Sequence, residues 1–170
     1  MSQAIPDHKL RADRMVFYAR DVERLDAELD ELLELSRARA ALLIDREGHL
    51  VTRRGESVVG SVDTFSALVA GCFAATHEMA RLLGEDAFST LFHQGENESI
   101  QVSQVGSRTL LGVVWDERTN LGLVRFYSQG TASRLAEVFQ DIIERKTAPS
   151  GERLASDFSH AAASALDELF

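Results

Sequence analysis

No stretch of this 170-residue sequence is apolar for long enough to cross a bilayer. The opening residues, MSQAIPDHKLRADR, also lack the apolar core of a signal peptide. Cysteine is nearly missing. The single Cys72 excludes a disulfide framework, and its apolar surroundings predict a small buried hydrophobe rather than a nucleophile. Positive charge is scarce: 18 Lys and Arg stand against 27 Asp and Glu, for a formal net charge of -9 at pH 7. Phosphate contacts require a basic surface, so a nucleic-acid partner is not expected. Together these features predict a cytoplasmic protein with no membrane partner.

Catalytic signatures are missing too. There is no GxSxG, HExxH, P-loop or GxGxxG. The histidines His8, His49, His77, His93 and His160 are scattered, and none has metal spacing with another His or Cys. His77 adjoins Glu78, but adjacent helical positions do not face each other. His93 reads as a structural group at a turn. Glycines 106, 112 and 122 read as turn or close-packing positions. No active site, metal or cofactor of its own is expected. A cryptic site at Cys72 or His93 is the enzyme alternative. Arg53, Arg54, Arg108, Arg118 and Arg125 are the cations that could reach a phosphate held by another protein.

What the sequence does have is a long apolar helix signal. Residues 62–84, VDTFSALVAGCFAATHEMARLLG, run for about five turns without proline and close on a glycine. The apolar positions of this stretch cover much of the circumference, with Ala67, Gly71, Ala74 and Ala75 among them. A surface helix needs one apolar face. The surplus predicts a partner subunit.

Before this helix, Met15 to Leu35 repeats apolar residues at helical spacing opposite an acidic face. That face reads as solvated, or alternatively as a contact for a basic partner. Residues 39–44 and 49–53 read as a hairpin turned at Gly48, with Ser61 or Asp63 capping the long helix. Phe88, Leu91 and Phe92 predict a short helical turn. Three strands are expected at 99–105, 109–115 and 121–127, followed by a helix over 131–145. The order helix, two strands, helix, three strands, helix predicts an α/β (α+β) domain with a five-stranded antiparallel sheet. The expected boundaries are a polar, disordered leader (1–14), the domain (15–146), a linker (147–153) and an amphipathic tail helix (154–170).

From about Arg39 to Ile143 the chain resembles the roadblock/LC7 family, and most closely its bacterial MglB group. The likeness lies in ALLIDREGHLV, TFSALVAGCFAATHEMARLLGE, FHQGE and VGSRTLLGVVWDERTNLGLVRFY. It implies the roadblock/LC7 fold and a homodimer, with the long helices side by side and residues 99–105 as the pairing edge. Phe65, Leu68, Cys72, Ala75, Thr76, Met79, Ile100 and Val102 would form the dimer interface. It further implies a small Ras-like GTPase of MglA type as partner, embraced by two protomers, with hydrolysis stimulated without an arginine finger. GTP and magnesium would be bound by that partner. The service would be cell polarity or motility, with concentration at a cell pole. The docking surface maps onto Ala67, Gly71, Ala74 and Glu78. The tail, through Leu154, Phe158, Ala162, Leu166 and Leu169, would contact the GTPase elsewhere and modulate nucleotide exchange. The alternative is a non-catalytic scaffold that tethers a GTPase or motor component.

Overall fold

The computed structural model describes residues 17–147. Its elements are α1 (Ala19–Ser36), β1 (Ala40–Asp45), β2 (Leu50–Gly55), α2 (Val62–Leu82), β3 (Thr90–Gln94), β4 (Ser99–Val105), β5 (Thr109–Trp115) and α3 (Leu121–Thr147). They form one five-stranded antiparallel sheet in the order β2-β1-β5-β4-β3. The element order is the expected one, although two elements arise from other residues than the sequence suggested.

Strand alternation divides the core into two layers. Ala41 and Leu43 of β1, with Leu111, Val113 and Trp115 of β5, face α1 and α3. There they meet Leu25, Leu29 and Leu32 of α1 and Leu135, Val138, Phe139 and Ile142 of α3. The opposite residues, Ala40, Leu42 and Ile44 with Leu110 and Val114, face α2 and meet Val69, Ala70 and Phe73. One face of the sheet therefore carries two helices and the other only one.

The acidic face of α1 is mostly engaged within the chain. Arg145 of α3 binds Asp21 at 2.7 Å, Arg134 binds Glu28 at 2.6 Å, and Arg24 of α1 itself reaches Asp141 at 2.9 Å. From β2, Arg54 binds Asp30 at 2.7 Å and the Thr52 hydroxyl donates to Asp26 at 2.6 Å. These pairs join α1 to α3 and β2, while Glu23, Asp30, Glu31 and Glu34 stay exposed on the solvated face that the sequence predicts.

Three expectations need correction. Phe88 to Phe92 does not form a helical turn. Thr90–Gln94 is a strand, paired with β4 from Thr90↔Ser103 to Gln94↔Ser99. The hairpin closes where Gly95 N–H donates to Glu98 C=O at 2.8 Å, and a Cβ on Gly95 would lie 2.5 Å from that oxygen. Phe92 is held by stacking on Trp115, with ring centroids 5.7 Å apart. Second, residues 121–127 are not a strand but the start of α3. Asn120 caps it, its side-chain oxygen accepting from Leu123 N–H at 3.1 Å. Third, β4 is not an edge, since it lies between β3 and β5; the edges are β2 and β3.

No helix among the described residues is long and apolar enough to cross a membrane.

Candidate functional site

Helix α2 is positioned through its N-terminal half. Ser61 caps its N-terminus by accepting from Thr64 N–H at 3.3 Å. The β1–β2 turn packs on its first half. Gly48, at φ 94°, approaches so closely that an added Cβ would lie 2.9 Å from Ala67 Cα. Asp45 shapes that turn, accepting from the backbone N–H groups of Glu47 and His49 and meeting the His49 ring at 3.1 Å. Asp45, Glu47 and His49 form an oxygen and nitrogen cluster within 4.8 Å. The turn itself accounts for the cluster, with Asp45 engaged in these local bonds.

Around α2 the residues fall into three strips. Ser66, Val69, Ala70, Phe73, Thr76 and Ala80 are buried against the chain's own sheet. Ala67, Gly71, Ala74 and Glu78 are exposed and form a continuous strip of small side chains ending in a carboxylate. Roughly a quarter turn further round, Leu68, Cys72, Ala75, Met79 and Leu82 are exposed as well. Leu68 is 64% exposed, Met79 50% and Leu82 87%. A cluster of large exposed apolar groups marks an interaction surface rather than scatter.

This apolar strip is symmetric about a point between Phe73 and Ala74. Leu68 mirrors Met79, Cys72 mirrors Ala75, and the half-buried Phe65 mirrors Leu82. An antiparallel pair of such helices about a two-fold axis through that point would bring each of these residues to the mirror position of its mate.

The other expected interface residues are placed differently. Thr76 is buried, and its hydroxyl donates to the Phe73 carbonyl at 2.7 Å. Val102 is buried in the α2-side core and Ile100 packs partly against that core. Thr76 and Val102 thus have no surface left for a mate. Cys72 is exposed, contrary to the buried hydrophobe expected. Leu82, two residues from the end of the predicted helix, is the exposed member that sequence reasoning missed; its place in the i, i+3, i+4 series was the available signal. Leu154, Phe158, Ala162, Leu166 and Leu169 lie outside the described residues.

An ionic cluster sits beyond the N-terminal end of α2. Arg39 pairs with Glu56 at 2.9 Å and with Glu98, while Arg118 reaches Glu56 and Asp116, each at 2.9 Å. Hydrogen bonds from Arg118 and Arg39 hold the Glu56 carboxyl below its usual range, and Arg118 does the same for Asp116. Those acceptors in turn raise the Arg118 guanidinium. Arg118 and Arg54 are accordingly committed to their own chain. His93 lies on β3, opposite Ile100 of β4, and not at a turn.

The sequence model of the Roadblock/LC7 domain matches residues 25–115. The solved structure of gliding protein MglB from Thermus thermophilus is 36% identical, with a TM-score of 0.71, over 75% of this chain and 96% of that one. MglB from Myxococcus xanthus is 32% identical over the same shares, with a TM-score of 0.70. A Roadblock/LC7 domain from Streptomyces avermitilis, 16% identical over 68% of this chain and 97% of that chain, has a TM-score of 0.62 and shares the fold. No curated protein sequence matches the chain.

Proposed function

The chain belongs to the roadblock/LC7 family, and from that premise we propose that it is a homodimeric regulator of a small Ras-like GTPase of MglA type. In this reading two copies pair through the apolar strip of α2. The paired helices then present Ala67, Gly71, Ala74 and Glu78 to the GTPase. The observation that carries the reading is the division of the α2 surface into a symmetric apolar strip and a separate strip of small residues. The likeness to the MglB structures supports it.

Stimulation of hydrolysis is a matter of differential binding. The dimer holds the hydrolysis-competent arrangement of the GTPase switch segments more tightly than the inactive one, and the population shifts toward it. The reading needs no arginine finger, consistent with the commitment of Arg54 and Arg118 to Asp30, Asp116 and Glu56. GTP and magnesium belong to the partner. Small residues at Gly71 and Ala74 let a second backbone approach closely, next to the point where Gly48 already packs on Ala67. Residues 154–170 modulate nucleotide exchange by a separate contact.

Single-turnover GTP hydrolysis by the Ras-like protein, with and without excess of this chain, tests the activity. Acceleration supports regulation of hydrolysis. Demonstrated binding with unchanged turnover would instead make the protein a tethering scaffold.

A further inference from the structure

Among the described residues, the face of the sheet that carries α2 is incompletely covered. A cavity of about 440 Å³ opens beside the N-terminal turn of α2. Its floor is a row of residues in register across four strands: Ala40 of β1, Val114 of β5, Ile100 of β4 and His93 of β3. Phe65 and Val59 complete the wall toward α2. The charges at the rim are engaged with one another, since Arg39 pairs with both Glu56 and Glu98 and Arg118 also meets Glu56. That leaves the floor and wall to address an aliphatic group rather than a charged ligand.

At the far end of α2 the converse holds. Leu82 is 87% exposed and Leu83 72%. Within one chain about 25 Å of helix separates Leu82 from Phe65, so neither leucine fills the cavity of its own subunit. In the symmetric strip, however, Leu82 mirrors Phe65. Antiparallel pairing about the point between Phe73 and Ala74 brings the Leu82 of one copy to the Phe65 of the other, at the cavity mouth.

We infer that Leu82, with Leu83 beside it, inserts into this cavity on a second copy of the chain, forming two equivalent aliphatic locks at the ends of the α2 pair. The inference rests on the homodimer proposed above and specifies the site that fixes its register. The volume suffices: a cavity of about 150 Å³ accommodates benzene, and this one is nearly three times larger. The exposed edge strand β3 adjoins the same floor, so the lock also brings the mate toward that edge.

The test is a cross-link between Val59→Cys and Leu82→Cys in full-length chain carrying Cys72→Ser. Helix α2 keeps the two positions about 30 Å apart within a subunit, whereas a disulfide needs Cα atoms within about 7 Å. Oxidation is expected to give a covalent dimer, and neither single-cysteine variant should match its yield. A dimer by light scattering that fails to cross-link through a disulfide or a short bis-maleimide overturns the lock while leaving the dimer intact. A monomer by light scattering overturns both. Leu82→Asp, at a surface position that folding does not need, should raise the dimer dissociation constant about 100-fold, because both locks are lost together. An undiminished dimer that no longer binds the GTPase would assign Leu82 to the GTPase instead and refute the lock.

Discussion

Asp21 shows how much one side chain ties together. It is buried, accepts from Tyr18 N–H at 2.9 Å at the start of α1, and pairs with Arg145 near the end of α3. Burial pushes its carboxyl up, but the Arg145 hydrogen bond, the Tyr18 N–H and the nearby arginine charges outweigh that effect and leave it below 3.8. A folded-state value below the unfolded one stabilises the protein at higher pH. The contribution is complete at neutral pH, begins to fall as pH nears 3.8, and is gone below the depressed folded value. Urea melts of the wild type and Asp21→Asn should accordingly differ at pH 7 and converge in acid, once the pH is below the depressed folded value. Arg145→Ala strands the buried carboxylate and should cost about 1–3 kcal/mol at neutral pH. Unchanged stability would contradict the clamp.

Gly48 sets a second requirement at the same scale. Its φ of 94° and its closeness to Ala67 leave no room for a side chain. Gly48→Ala should destabilise by about 1–3 kcal/mol in thermal or urea melts. A neutral result would mean that the β1–β2 turn shifts freely away from α2.

Among the elements, α2 carries the functional argument, and its two exposed strips should separate by mutation. Met79→Asp places a charge in the symmetric apolar strip and should yield a folded monomer by light scattering. Ala74→Arg alters the small-residue strip and should weaken GTPase binding about tenfold or more while the dimer persists. Dissociation by Ala74→Arg would instead assign Ala74 to the dimer seam.

The legibility of the elements varied for local reasons. The capping Ser61, the turn glycine Gly48 and the apolar run of β5 identify their elements unaided. By contrast, Phe88, Leu91 and Phe92 have helical spacing, while TLFHQ also fits a short strand. Pairing with β4, a non-local contact, settles the choice. LGLVRFY likewise offers partial alternation, yet Leu121, Val124 and Tyr127 continue into the helical series of α3. The cap at Asn120 decides between the two. The acidic face of α1 was visible in the sequence, but its arginine partners Arg134 and Arg145 lie over 100 residues away. The symmetric strip of α2 was present in the spacing, although burial was needed to distinguish its exposed members from Thr76.

For the molecule as a whole, the two faces of the sheet have different roles. Two helices and a set of ion pairs close one face. Among the described residues the other holds α2 and an open cavity beside the edge strand β3, features suited to a mate. The stability of the domain should therefore be independent of the C-terminal segment. Deleting residues 150–170 is expected to leave a dimer that unfolds cooperatively in urea. Loss of cooperativity would make that segment part of the core.

The most direct test of the central claim is single-turnover GTP hydrolysis by the cognate Ras-like GTPase, with increasing amounts of this chain and of its Ala74→Arg variant. The account predicts acceleration that saturates at two protomers per GTPase and needs markedly more of the variant. Hydrolysis that is unchanged at saturating wild-type chain, with binding demonstrated in the same sample, would contradict it.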